Sequence, residues 1–168
     1  SGFSGKIVSI LPLIEVCSVP LSVDPPIRLL IHYQTLYPDQ SPQWIVVPPG
    51  RVMWVAAKPG EDERYTVYDV ETETEATFSR QSAKSKRTVL NRPLPRWARY
   101  AAGVILLLDD APGVDAVICG DEAAGVRYEH SLGVAFTALM WEMLGLSYDE
   151  RALVDFTERV RREYVETS

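Results

Sequence analysis

An α+β fold is what this sequence predicts, on two observations: strand-like runs crowd its first half, and helical spacing governs its second half. The period changes near Pro93, where alternation gives way to apolar residues three and four apart. At 168 residues the chain is expected to be a single domain, 1–168, long enough to bury a substantial core.

Residues 6–19 (KIVSILPLIEVCSV) alternate loosely and are read as one or two strands broken at Pro12. Residues 27–33 (IRLLIHY) and 44–47 (WIVV) are further strands, bounded by prolines 25, 26, 38, 42, 48 and 49. Residues 51–57, 64–70 and 74–78 complete the β region, with a polar hairpin turn at 59–64. Alternation of Tyr65, Val67 and Asp69 against Thr66, Tyr68 and Val70 predicts an antiparallel sheet with one wet face. The basic run 80–87 (RQSAKSKR) reads as a solvated loop.

Helical spacing then places Trp97, Tyr100, Ala101, Val104 and Leu108 on one face of a helix over 93–108, which ends at Asp109 and Asp110. Residues 114–119 are short, apolar and β-branched, as in a buried strand. A glycine-bearing turn, 120–125, follows, and a long apolar helix begins around Glu129 and stops at Gly145. The last helix opens with Asp149 and Glu150, whose charges suit its dipole, and buries Ala152, Phe156, Val160 and Tyr164. There are no repeats and no interdomain linker.

Composition excludes several classes. The net charge of −6 and pI near 5.0 argue against a nucleic-acid surface. No run approaches the roughly 18–20 apolar residues of a membrane span. Cys17 and Cys119 sit in apolar runs without CxxC spacing, so no zinc or redox centre is expected. His32 and His130 are too few for a His-rich metal site. The start, SGFSG, lacks methionine and reads as a processing remnant; with no signal peptide in view, a cytoplasmic location is the default expectation. Neither G-x-x-x-x-G-K-[ST] nor G-x-S-x-G occurs.

What chemistry the residues do offer lies at 114–144. A strand feeding a helix through a glycine turn leaves backbone N–H groups free at the positive end of the helix dipole, which is a standing anion site.

Four local patterns, in order, resemble the galactokinases of the GHMP kinase superfamily. Residues 95–121 carry a W-x-x-Y-x-x-G-V helix and a strand ending in G-D, with Trp97, Tyr100, Gly103, Val104, Gly120 and Asp121 at matching positions. Residues 51–71 look like that family's early hairpin, and ERVRREYVE at 158–166 like its Q-R-A-E-N-x-F-V-G terminus. The resemblance spans 27–166 and implies the ribosomal-S5-domain-2-like variety of α+β fold.

It also implies a function. The family transfers the γ-phosphoryl group of ATP, with magnesium, to a sugar hydroxyl, so nucleotide and a small sugar are the expected ligands, with no nucleic acid or membrane. Against the family's G-x-G-L-S-S-S-A phosphate loop this chain has Gly125 and Ser131 in place, Arg127 for the second glycine, and Glu129 and His130 for two serines. Gly125, Arg127 and Ser131 are therefore the expected phosphate-binding residues, with Ser131 also at the magnesium position. Against the sugar motif P-G-R-x-N-L-I-G-E-H-x-D-Y, Arg28, Tyr37 and Asp39 can be matched, whereas His32 is off register. A plainer role for Arg28 is a surface charge on an edge strand.

Trp97, Tyr100 and Trp141 read as core aromatics, Asp121 as a turn residue, and His130 as a helix-start residue that caps or packs. The family's catalytic aspartate follows the F-V-G terminus in G-I-M-D-Q, and this sequence stops at Ser168, before it and before the C-terminal domain. No catalytic residue is assigned. Two expectations follow: the N-terminal portion of an ATP-dependent sugar kinase, inactive alone, or a non-catalytic descendant that keeps the fold and binds a ligand or partner.

Overall fold

A computed structural model of the protein describes residues 24–167. The strands expected over 6–19, and Cys17, lie outside the described residues. Within them, five strands form one sheet: β1 (Trp44–Val46), β2 (Met53–Pro59), β3 (Arg64–Asp69), β4 (Thr74–Ser79) and β5 (Val114–Gly120). Their order is β1-β2-β5-β3-β4. The architecture is α+β, as the sequence predicts, with helices packed against the sheet. It is a mixed sheet rather than an antiparallel one, because β5 enters between β2 and β3, antiparallel to the first and parallel to the second. A strand arriving through a helical connection is free to run parallel to an earlier one, whereas a tight hairpin is not.

One face of the sheet carries α2 (Arg80–Lys84), α3 (Arg96–Leu107), α4 (Val126–Met143) and α5 (Glu150–Val160), the last continuing into a wider π turn, Arg161–Val165. Alternation decides what each strand contributes. Val55 and Ala57, Tyr65 and Val67, Ala76 and Phe78, and Ala116 and Ile118 point to this side, against Tyr100, Val104, Leu132, Phe136 and Leu139. The opposite residues of β2 and β5, namely Trp54, Ala56, Val117 and Cys119, pack under α1 (Ile27–Leu36).

That first helix corrects the strand expected at 27–33. Its apolar run looks β-like, but Leu29 and Tyr33 are buried four residues apart while Ile27 and Ile31 face solvent. Burial thus follows helical spacing. Pro26 holds the extended N-cap conformation, the Tyr37 N–H closes the last turn on the Tyr33 carbonyl at 2.8 Å, and Pro38 prevents continuation.

The basic run 80–87 is a second correction. Its first five residues form α2, fixed by a capping box in which Ser79 Oγ accepts from the Ser82 N–H at 3.0 Å and the Ser82 hydroxyl accepts from the Ser79 N–H at 2.9 Å. Helix α4 begins three residues earlier than expected, directly after Gly125, and Asp149 caps α5 by accepting from the Ala152 N–H at 2.8 Å instead of lying in its first turn.

Two glycines let the helices approach. A Cβ at Gly103 would fall 2.6 Å from Val160 Cγ1, and one at Gly133 would fall 2.7 Å from Tyr100 Cδ1 and 2.9 Å from Thr157 Cγ2. Gly133→Ala should overpack the α3–α4–α5 junction and lower the stability to urea by about 1–3 kcal/mol. An unchanged urea midpoint would mean that the junction has slack.

Candidate functional site

The C-terminal end of β5 gathers the chemistry. Gly120 ends the strand in a tight corner, since a Cβ there would lie 2.8 Å from both Met53 Cε and Tyr128 Cε1. The turn that follows is exposed and is tied to the start of β2 by the Asp121 N–H donating to the Val52 carbonyl at 3.0 Å. Gly125 then adopts φ 153°, a value that favours glycine, and serves as the N-cap of α4 without a side-chain cap. Nothing lies within 4 Å of the position its Cβ would occupy. The N–H groups that open this 18-residue helix have no side-chain cap.

Of the residues matched to the phosphate loop, Gly125 and Arg127 lie at this mouth. The Arg127 side chain is 72% exposed and its Nε donates to Glu122 Oε1 at 3.2 Å. Ser131 is elsewhere. It lies on the second turn of α4, about 9 Å along the axis from Gly125, and is buried, its hydroxyl without a hydrogen-bond partner. Glu129, in the first turn, is neutralised by Arg96 Nε at 2.9 Å.

Arg28, Tyr37 and Asp39 are not brought together. Arg28 is on the first turn of α1, where its Nη2 donates to the Gly120 carbonyl at 2.7 Å and lies 3.8 Å from Glu71. It belongs to a helix, not an edge strand, and it stands at the anion end of β5. Tyr37 caps the far end of α1, with Lys58 Nζ 4.6 Å from its ring centre and Lys58 bonded to Asp115 at 2.8 Å. Burial and then the Asp115 charge push the Tyr37 hydroxyl pKa up. Asp39 follows in an exposed turn at φ 66°. Nine helical residues separate Arg28 from Tyr37, about 13 Å.

The sequence reading missed a buried carboxylate. Asp69, fully buried, accepts from the Tyr128 hydroxyl, from Thr72 Oγ1 at 2.8 Å and from the Glu71 N–H at 3.4 Å. It joins the β3–β4 hairpin to the first turn of α4. Its signal was the alternation itself, which puts Asp69 on the same face as buried Tyr65 and Val67. Burial first, then the bond to Asp69, raises the Tyr128 pKa.

His130 is the second such group. Its Nε2 lies 2.7 Å from Glu158 Oε2 and its Nδ1 lies 3.4 Å from Arg51 Nη2. Because an arginine only donates, Nδ1 must accept, so Nε2 carries the proton and the ring is neutral. Burial lowers the His130 pKa, aided by Arg51 and Arg161 and opposed by Glu158. Arg161 holds the Glu158 carboxyl below its usual range, through bonds of 2.9 and 3.0 Å. Trp97 and Tyr100 are buried core aromatics, and Trp141 packs with Phe156 and Tyr148. Among the described residues no group of three or more His, Cys, Asp or Glu is arranged to hold a metal, and no helix is long and apolar enough to cross a membrane.

Two outcomes test this geometry. Tyr128→Phe removes a donor from a buried carboxylate and should cost about 1–3 kcal/mol in urea denaturation. His130 has a folded pKa below its unfolded value, so its contribution to stability is complete above about pH 6.5 and is lost as pH falls below it. Thermal melts of His130→Gln should therefore fall less steeply on acidification than those of the wild type; parallel curves would reject a neutral His130.

No protein-family profile matches the sequence, and no curated protein matches it. Solved structures do. Lactococcus lactis galactokinase complexed with galactose superposes at TM-score 0.55 and 14% identity, over 71% of this chain and 31% of that one. A mevalonate kinase and the Methanococcus jannaschii mevalonate kinase each reach TM-score 0.49 at 8% identity, over 66% of this chain and 37% and 36% of theirs. The chain spans about a third of the galactokinase it matches, and what it shares with that protein is the fold.

Proposed function

We propose that the chain is the nucleotide-phosphate-binding portion of a galactokinase-like phosphotransferase, with the N-terminus of α4 holding the phosphates of ATP. The observation that carries this is the open, uncapped start of an 18-residue helix directly behind the central strand, with Arg127 beside it. The likeness of fold to galactokinase supports it.

The residues fit a phosphate better than they fit its magnesium. Free N–H groups and Arg127 suit an anion. The Ser131 hydroxyl is buried a turn and a half away, and offers no oxygen at the mouth. Magnesium wants exposed carboxylate or hydroxyl oxygens and keeps several waters. The carboxylates of that turn are Asp121, which is exposed, and Glu122, which is paired with Arg127. In the proposed reaction this chain contributes positioning: Arg127 exchanges Glu122 for phosphate, and the helix start orients it. Arg28, which donates to the Gly120 carbonyl, holds the corner from which that helix departs. The sugar, the cytoplasmic setting and the remaining domain of the whole protein belong to the same proposal. Catalysis by the 168 residues alone is not expected on this reading, which assigns no base among the described residues.

A second reading, a descendant that binds without catalysing, is favoured by one observation. Residues 126–131 are regular helix, with Glu129 and His130 engaged by Arg96 and Glu158, where the family has a loop of small residues. A thermal-shift titration separates the two. ATP, with or without magnesium, should raise the melting temperature at millimolar concentration by mass action, and Arg127→Ala should weaken binding about tenfold. Absence of any shift with ATP or ADP would reject the phosphate site and leave the non-catalytic reading.

A further inference from the structure

The chain's charge is distributed unevenly. Residues 76–108 contain seven Lys and Arg and no Asp or Glu, while the rest of the sequence holds ten Lys and Arg against 23 Asp and Glu, −13 in all. Of the seven, only Arg96 forms an ion pair among the described residues. Arg80 and Arg99 donate to the carbonyls of Leu108, at 2.6 Å, and Leu94, at 3.2 Å, which orders them without neutralising them.

Four of these cations converge on one closed loop. The Leu94 N–H donates to the Lys86 carbonyl at 2.9 Å, and the Thr88 N–H to the Arg92 carbonyl at 2.8 Å. Arg87 bridges Pro93 and donates from Nη1 to the Asn91 carbonyl at 2.9 Å, while the Val89 N–H ties the loop to the Thr77 carbonyl of β4 at 3.0 Å. Lys86 and Arg99 thus flank Leu94, and Lys86 Nζ, 5.3 Å from the ring centre of Tyr164, donates to the Thr167 carbonyl and, at 2.9 Å, to the Thr167 hydroxyl, which orders its charge without neutralising it. Arg87 and Arg92 are exposed. Partial burial and the neighbouring Arg99 charge both lower the Lys86 pKa. The carboxylates of the chain's last turn are occupied: Glu163 pairs with Arg159, and Glu166 with Arg161 and Arg96. Like charges gathered on a rigid loop without counter-ions stand as unsatisfied positive potential.

We infer that the loop 86–94, with Arg99, is a docking surface for a short acidic segment of a protein partner. The extent of the patch sets the partner's class. Exposed Glu71, Glu73 and Glu75 precede it on the β3–β4 hairpin, and exposed Asp109 and Asp110 follow α3. A duplex nucleic acid laid across the patch would meet these carboxylates, whereas a segment a few residues long would not. No aromatic side chain is exposed on the loop for bases to stack on; Tyr164, beneath Lys86, is buried.

The test is fluorescence anisotropy with a labelled oligoglutamate peptide and, separately, a mixed-sequence DNA duplex, both at about 0.15 M salt, where surface charges act only over about 8 Å. The peptide should bind, more weakly as salt rises, and more tightly than the duplex. Combined Lys86→Gln, Arg87→Gln and Arg92→Gln should weaken peptide binding about tenfold or more. Arg151→Gln, Arg159→Gln and Arg162→Gln together, which remove the same charge from α5 and its π turn, should leave it unchanged. Arg92→Glu alone, at an exposed position with no side-chain partner, checks the result without disturbing the loop. No peptide binding, equal loss with both triple variants, or tighter binding of the duplex would overturn the inference. ATP binding at α4 is independent of every one of these outcomes.

Discussion

Burial of β5 on both faces is the constraint on which the rest of the molecule depends. Ala116 and Ile118 point into the helical layer, Val117 and Cys119 point beneath α1, and all four are at most 1% exposed. Its backbone is paired on both sides, antiparallel to β2 and parallel to β3. A strand enclosed this way cannot shift register by one residue without exchanging its two apolar sets, so its end is fixed in space. Everything proposed for the anion site is measured from that end. Gly120 fits only because it lacks a side chain, Arg28 takes its carbonyl, and α4 departs five residues later.

The helical layer depends on that strand in turn. Tyr128 anchors the first turn of α4 to Asp69 at the end of β3, beside β5, and Gly133 and Gly103 then allow α3, α4 and α5 to close. Asp69 is a buried carboxylate whose charge is matched only by hydrogen bonds, an arrangement that is costly to leave incomplete. It also selects one angle for α4 over the alternatives that apolar packing alone would allow. The direction of the α4 N-terminus is thus set by a strand end at one point and a polar anchor at another.

How much of this the sequence showed depends on the range of the interaction. The alternation in β3 and the stripe of α3 were legible because they repeat locally, whereas α5 buries Leu153 and Thr157 and leaves Ala152 and Phe156, expected inside, half-buried. So was the strand–glycine–helix unit at 114–144, which needs only neighbours in sequence. Helix α1 was not, since IRLLIHY satisfies a strand pattern and becomes helical through where Leu29 and Tyr33 find a sheet to cover. Nor was the parallel β3–β5 pairing, which arises 50 residues apart in sequence, Val67 against Ala116 being one such pair. The site shows the same limit. Arg51, His130 and Glu158 meet across sequence separations of 79 and 28 residues, and no spacing rule anticipates that.

The departures from a glycine- and serine-rich loop can be reconciled with anion binding by asking which charges are already committed. Glu129, which would repel phosphate at the helix start, is held by Arg96, and so contributes little net field there. Arg127, in contrast, is held only by Glu122, in a pair whose arginine is exposed and whose carboxylate is mostly buried. Exchanging that partner for a dianionic phosphate leaves the Glu122 carboxylate without its cation and gains a charge-assisted bond reinforced by the helix dipole. A glycine at 127 would offer backbone alone. An arginine there adds a cation and removes the steric openness that lets several N–H groups surround one phosphate, so the same substitution strengthens capture of an anion and weakens its enclosure. Holding a phosphate and enclosing it for transfer are separate demands, and the site proposed at the start of α4 rests on the first.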